Sequence, residues 1–100
     1  MDYEIQKCKI CEINKESPVI NNPVVNIIKN PYVNDPNNWI ITLRRHTSLP
    51  LIGEIKCLKH TLKKVFPKNV KVDLYQKEPY DHFHWTVEGI PLNLFKNNEI

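Results

Sequence analysis

Two pairs of metal-binding residue types lie near opposite ends of this 100-residue chain. Cys8 and Cys11 stand in the run Cys-Lys-Ile-Cys, and a spacer of two residues lets both thiolates converge on one soft cation. His82 and His84 are two residues apart in a run with strand character, so both imidazoles are expected on one face of a strand. The apolar residues that alternate with them then face the core. Two histidines directed to one face favour chemistry over packing.

The cysteine pattern favours metal binding over redox chemistry. An odd count of three cysteines argues against a disulfide framework. A redox Cys-x-x-Cys motif remains an alternative, but it requires a strand before the motif and a helix after it. The prolines at positions 18 and 23 instead predict an irregular knuckle over residues 1–23, not a helix. We therefore expect a zinc knuckle.

His46 is the residue that connects the two pairs. It follows a predicted strand and precedes a predicted helix, at a turn from which a side chain can reach the edge of a sheet. A single histidine in such a place is more often a surface residue than a ligand. Together with Cys8, Cys11 and His82, however, His46 completes a Cys₂His₂ set, which are ligand types that tetrahedral zinc prefers.

Hydrophobic periodicity predicts the elements that must position these residues. Alternation and turn signals predict four strands, over 24–28, 39–43, 70–76 and 82–88, with a hairpin between the first two. Ser48 is the expected N-cap of one main helix, and Pro67 is expected to end it. The apolar stripe of that helix comprises Leu51, Ile55, Leu58, Leu62 and Val65. We therefore predict an α+β fold in which a small antiparallel sheet packs against one helix.

Length and composition indicate one small globular domain. Hydrophobic residues make up 41% and charged residues 25% of the chain, and the net charge is +3, so a core of modest size is expected. We expect a single domain over residues 1–92 and a loose tail over 93–100. An acidic start and the lack of an apolar run of about 20 residues predict a cytoplasmic protein with no membrane partner. The lysines are spread along the chain, which makes nucleic acid an unlikely partner.

Three segments in order resemble the histidine triad (HIT) superfamily, most closely its galactose-1-phosphate uridylyltransferase branch. They are Cys-Lys-Ile-Cys-Glu-Ile from position 8, Trp-Ile-Ile-Thr-Leu-Arg-Arg-His from position 39, and Asp-His-Phe-His-Trp-Thr-Val-Glu-Gly-Ile-Pro from position 81. The resemblance covers residues 8–91. It implies a half-barrel fold and a structural zinc ion. Carried over from zinc-bearing members, the zinc ligands are Cys8, Cys11, His46 and His82.

The same resemblance implies the chemistry of a nucleotide hydrolase or nucleotidyl transferase. His84 is then the nucleophile, attacking the α-phosphorus of a nucleoside phosphate or phosphoramidate to form a covalent nucleotidyl-histidine. A backbone carbonyl must hold the proton of one ring nitrogen so that the other nitrogen is available to attack. Lys77, Arg44 and Arg45 are candidates to contact phosphate, and the family is commonly dimeric, which implies a homodimer.

One position departs from the family pattern. Thr86 stands at the third motif position, where the family has His or Gln. A hydroxyl there can hydrogen-bond a phosphoryl oxygen but cannot donate a proton at a suitable pKa. In addition, the run from Lys77 to Asp81 replaces the polar, glycine-containing loop that normally contacts phosphate.

Two alternatives remain open. The first is a HIT-like zinc module whose active site has decayed and which serves in ligand binding or protein assembly. The second reads His46-Thr47-Ser48 and His84-Trp85-Thr86 as the two His-x-Ser/Thr pairs of a phosphoesterase, in which each histidine is an acid or a base. That family has a longer, two-lobed chain and no cysteine knuckle.

Overall fold

A computed structural model describes residues 8–16, 20, 22–77 and 80–96. A four-stranded antiparallel sheet has the strand order β1-β2-β4-β3. The strands are β1 (Val25–Lys29), β2 (Trp39–Leu43), β3 (Lys71–Asp73) and β4 (His84–Glu88). Within the described residues, two α-helices, α1 (Lys9–Glu16) and α2 (Ile52–Val65), and a short 3₁₀ helix (Leu92–Leu94) accompany the sheet. The predicted α+β class with an antiparallel sheet is confirmed, whereas the HIT-like half-barrel stays a prediction.

The central strands follow the sequence pattern closely. β2 has the predicted bounds and is buried along its whole length, and β1 pairs with it as the predicted hairpin. The strand predicted over 70–76 is shorter, ending at Asp73, and β4 begins at His84, two residues later than predicted. Near its start, the side-chain amide of Gln76 donates to the carbonyl of His84 at 2.7 Å and accepts from its N–H at 3.1 Å. The Gln76 side chain therefore makes the hydrogen bonds to the His84 backbone that the backbone of a longer β3 would make.

The main helix packs against one face of the sheet. Trp85 and Val87 of β4 lie in the same core cluster as Leu58 and Val65 of α2. Because strand residues alternate between faces, His84 and Thr86 lie on the other side, where both line one cavity. The predicted separation of the two faces of β4 is confirmed, but the helix lies nearest β2 and β1, so direct packing of β4 against the helix stays a prediction.

The start of α2 differs from the prediction. Ser48 is not the N-cap, because Leu51 occupies that position. The Glu54 carboxylate accepts the Leu51 N–H at 2.8 Å, so a side chain within the helix satisfies one of the unpaired donors at its start. Leu51, assigned to the apolar stripe, is exposed.

The predicted irregular knuckle is wrong over residues 9–16, which form α1. Ile10 is fully buried and packs with Ile28 and Ile40 in a second, small core cluster. A helix of eight residues is marginal by itself, so this contact with the sheet supplies stability that a local pattern cannot reveal. Residues 1–7, 17–19 and 21 lie outside the described part of the chain.

The segment expected to be a loose tail contains a core residue. Phe95 is only 3% exposed, and its ring lies 4.9 Å from that of Trp39 and 4.8 Å from that of Phe66. The Lys96 N–H also donates to the carbonyl of Val65 at 2.7 Å. Residues 93–96 therefore pack against the domain, while 97–100 lie outside the described residues. No described helix is long and apolar enough to cross a membrane.

Candidate metal centre

Four predicted ligands from three parts of the chain meet at one point. The ligand atoms of Cys8, Cys11, His46 and His82 all lie within 4.8 Å of one another. Helix α1 carries Cys11 and follows Cys8 directly, His46 follows β2, and His82 precedes β4. Three of the four residues are buried, and His46 is partly exposed. These residues could hold a metal ion.

The distances between sulfur and nitrogen suit a small tetrahedral ion. Cys11 Sγ lies 3.2 Å from His46 Nδ1 and 3.4 Å from His82 Nδ1, and Cys8 Sγ lies 3.4 Å from His82 Nδ1. Zinc–sulfur and zinc–nitrogen bonds at a tetrahedral angle place the two ligand atoms about 3.6 Å apart. The donor types and their spacing therefore both fit zinc.

Outer contacts orient both imidazoles of the centre. His82 Nε2 lies 2.8 Å from the carbonyl of Leu43, which can only accept, so the ring proton belongs on Nε2. His46 Nε2 lies 3.4 Å from the Asp81 carboxylate, which favours the same tautomer. In both rings Nδ1 is then available as a ligand, and such partners on the second nitrogen are characteristic of metal-binding histidines.

Burial disfavours the ionised form of one thiol of the centre, that of Cys11. Burial, reinforced by the neighbouring Cys8, raises the pKa of the Cys11 thiol to about 12. The Cys11 N–H points at Cys8 Sγ at 3.5 Å, a donor placed to stabilise a thiolate. Because cysteine binds metals as the thiolate, an incoming cation has to displace protons, and it supplies the charge that the buried sulfurs lack.

The same geometry satisfies one of the two structural requirements of a redox Cys-x-x-Cys motif. Helix α1 follows the motif, as a redox Cys-x-x-Cys would require, but the strand that should precede it would fall on undescribed residues. Two imidazoles in contact with the thiols are better explained by metal ligation. We therefore retain the metal interpretation.

His84 lies beside this centre but not in it. Its side chain is 1% exposed, and Nδ1 lies 2.8 Å from the carbonyl of His82. The carbonyl can only accept, so Nδ1 carries the proton and Nε2 has the lone pair; the expected carbonyl partner is present. Burial is the main cause that lowers the pKa of His84, and the nearby Lys77 lowers it further. His84 is therefore neutral near pH 7.

A cavity of about 110 Å³ adjoins His84. Thr86 and Lys77 line it, and the Lys77 ammonium forms an ion pair with Asp73 at 2.8 Å. The remaining lining residues are Asn30, Tyr32, Val33, Asn38, Ile40 and Glu88. The cavity thus combines one cation, one acid and several neutral hydrogen-bonding groups.

The two predicted arginine contacts do not line this cavity. Arg44 donates through Nε to the carbonyl of Asn22 and through Nη2 to that of Ile20 at 3.1 Å. Arg45 forms a two-point ion pair with Glu54 at 2.8 and 2.9 Å. Both guanidinium groups are thus engaged in contacts within the protein.

Sequence reasoning missed two residues that shape the site. Gln76 brackets the backbone of His84 through its side chain, and Asp81 faces His46. No spacing rule singles out Gln76, because its partner lies across a turn. Asp81 adjoins a motif histidine, but its actual partner is 35 positions away in the sequence.

Comparison of the chain with family models, with curated proteins and with solved structures finds no match.

Proposed function

We propose that the protein binds one structural zinc ion through Cys8, Cys11, His46 and His82. Four protein ligands complete a tetrahedral shell and leave no position for substrate, which is the pattern of structural rather than catalytic zinc. The ion would join the start of α1 to the end of β2 and the start of β4. When bound, it supplies cross-linking and charge neutralisation.

We further propose a HIT-like nucleotide hydrolase or nucleotidyl transferase with His84 as nucleophile. The observation that carries this proposal is the contact between His84 Nδ1 and the carbonyl of His82. This contact keeps the proton on Nδ1 and leaves Nε2 of the neutral imidazole unprotonated. The imidazole lies beside a cavity that Lys77 and Thr86 also line. Lys77 would attract the phosphoryl group, and the Thr86 hydroxyl would donate to one of its oxygens.

The proposed reaction has two balanced displacements. The Nε2 lone pair of His84 attacks the α-phosphorus, a P–N bond forms, and the P–O or P–N bond to the leaving group breaks with its electron pair. The ring is then cationic, and its proton stays on Nδ1, hydrogen-bonded to the His82 carbonyl. Water, or another acceptor in a transfer reaction, next attacks phosphorus and gives its proton to solvent. The P–N bond to His84 breaks and restores the lone pair.

Thr86 makes a specific demand on the substrate. Its hydroxyl is too weak an acid to protonate a departing alkoxide. The leaving group must therefore be stable as an anion or take its proton from solvent. We expect substrates with acidic leaving groups, such as a nucleoside phosphate ester of a phenol, to react faster than alkyl esters.

A panel of dinucleotides, nucleotide sugars, aryl nucleotides and nucleoside phosphoramidates tests the proposal. His84→Asn should abolish turnover without changing zinc content, because His84 is not a proposed ligand. His60→Asn, which changes an exposed histidine of α2, is the matched control and should retain wild-type rates. If wild type and His84→Asn are equally inert across the panel, the enzymatic proposal is wrong.

A zinc-stabilised binding module is the second candidate. The cavity beside His84 has room for roughly four water molecules at about 30 Å³ each, and it is smaller than the roughly 300 Å³ at which ligand pockets begin. A nucleotide would need the surrounding residues to move. A catalytically inert protein that still binds inorganic phosphate or a nucleotide would support this candidate.

The phosphoesterase alternative has weaker support. It requires His46 as an acid or base, whereas His46 Nδ1 lies 3.2 Å from Cys11 Sγ and its Nε2 faces Asp81. Both ring nitrogens thus have partners within the metal centre. HIT membership and a homodimer remain part of the proposal.

A further inference from the structure

The outward face of α2 carries a row of lysines. Lys56, Lys59 and Lys63 are all exposed, and their spacing of three and four residues places them on one face of the helix. Ile52 lies one turn before Lys56 on the same face. We call the set Ile52, Lys56, Lys59 and Lys63 the α2 ridge.

The stretch of sequence that carries this ridge has a basic excess, although lysines also occur elsewhere in the chain. Residues 55–72 contain six lysines and no acidic residue, whereas the rest of the chain has eight basic and eleven acidic residues, a net charge of −3. The acidic residues that flank the segment, Glu54 and Asp73, are engaged by Arg45 and Lys77. Lys56, Lys59 and Lys63, all exposed on one helix face, therefore give the ridge a positive field.

An aliphatic tip adjoins the amino-terminal end of the ridge. Leu49, Leu51 and Ile52 are 80%, 64% and 78% exposed. Three large aliphatic side chains within four residues are a patch rather than isolated surface residues, and such patches mark interaction sites. The tip and the lysines meet at Ile52, so one partner can contact both.

Against the expectation of no membrane partner, which rested on the lack of a spanning segment, we propose that the α2 ridge and its aliphatic tip bind the surface of an anionic lipid bilayer. Lysines would contact the anionic headgroups, and the three aliphatic side chains would insert at the boundary between headgroups and acyl chains. A nucleic acid would use the lysines but has no use for the aliphatic tip. A symmetric pair of copies joined along this ridge would place its lysines against those of the partner. A bilayer surface can contact both the lysines of the α2 ridge and the aliphatic tip.

Vesicle co-sedimentation tests the apolar half of the proposal. The probe is phosphatidylcholine vesicles with 0 or 40% phosphatidylserine at about 0.1 M salt, where the screening length is about 10 Å, and binding is expected only with phosphatidylserine. Leu49→Ser/Leu51→Ser/Ile52→Ser should weaken binding by at least about tenfold, because the inserted aliphatic area is lost. The control Leu74→Ser/Tyr75→Ser removes apolar residues that are 57% and 83% exposed elsewhere and should bind like wild type.

A second pair of variants tests the charged half. Lys56→Gln/Lys59→Gln should weaken binding about 25-fold, since each lysine near an anionic surface contributes a factor of about five. Lys15→Gln/Lys29→Gln has the same net charge but changes two exposed lysines outside residues 55–72, and it should stay within about threefold of wild type because distant charges are screened. Circular dichroism should show all variants folded, since every changed residue is exposed.

Four results would overturn the proposal. They are no binding to phosphatidylserine vesicles, equal binding without phosphatidylserine, equal losses in the ridge and control variants, and a dimer by light scattering that the triple serine variant dissociates. In the last case the aliphatic tip is a subunit interface. RNA binding that depends on the lysines, with no vesicle binding, would likewise assign the ridge to nucleic acid.

Discussion

Asp81 should tune the metal affinity without being a ligand. Its carboxylate lies 3.4 Å from His46 Nε2, whereas His46 Nδ1 faces the sulfur of Cys11. Removing such a partner typically lowers metal affinity 10–100-fold. The contact is longer than a normal hydrogen bond, and the Asp81 side chain is 57% exposed, so water offsets part of the loss. We therefore expect Asp81→Asn to lower zinc affinity about tenfold, or about 1.4 kcal/mol.

Competition with a chromophoric chelator measures this change. Asp35→Asn is the control, because Asp35 is an exposed aspartate in the turn before β2 and its carboxylate accepts the Asn37 N–H. That variant should bind zinc like wild type. An unchanged affinity for Asp81→Asn, or an equal loss in both variants, would refute the reasoning that the carboxylate orients His46.

Three further perturbations test the energetics of the fold. Chelation should lower Tm by about 15–30 °C in a scanning calorimeter, since saturation at about 1,000 times Kd contributes about 4 kcal/mol and each kcal/mol shifts Tm by about 4–8 °C; an unchanged Tm after verified metal loss would contradict a structural role. Glu54→Gln should change how the free energy of unfolding, measured in urea, depends on pH in the acid range. The Arg45 hydrogen bond and then the Leu51 N–H lower the pKa of Glu54 from 4.5 to about 2, so the stability that ionised Glu54 contributes is lost as the pH falls through that range. The gap between wild type and variant should therefore close between pH 4.5 and 2, and a constant gap would be inconsistent with the ion pair. Phe95→Ala should cost about 3–5 kcal/mol of unfolding free energy, and a cost below about 1 kcal/mol would mean that the end of the chain is not part of the core.

The sequence predicted the elements whose stability is local or follows a simple period. The bounds of β2 and the orientation of Trp85 follow from apolar runs and alternation. The convergence of His46 on the cysteine pair was inferable from ligand types in a suitable order, together with the HIT resemblance. These features depend on properties that individual residues carry wherever they are placed.

The features that were missed depend on partners far apart in the chain. Helix α1 is stabilised by packing of Ile10 on the sheet, which outweighs the irregular composition that follows it. Arg44 and Arg45 were candidates for phosphate contact because a basic pair has no visible partner in a linear sequence. Their actual partners, two carbonyl groups and Glu54, are brought near by the fold. Asp81 appeared in the sequence analysis only as the end of the run that replaces the phosphate-contacting loop.

The central claim is that the two neighbouring histidines have separate roles: His82 is a zinc ligand and His84 is the nucleophile. The two side chains are almost equally buried, at 0% and 1% exposure, so His82→Asn and His84→Asn are a matched pair. Inductively coupled plasma mass spectrometry of the purified proteins, after reconstitution with zinc and desalting, measures the zinc content per chain. We predict one zinc per chain in wild type and in His84→Asn, and a loss of bound zinc in His82→Asn. Full zinc content in His82→Asn, or its loss in His84→Asn alone, would contradict the account.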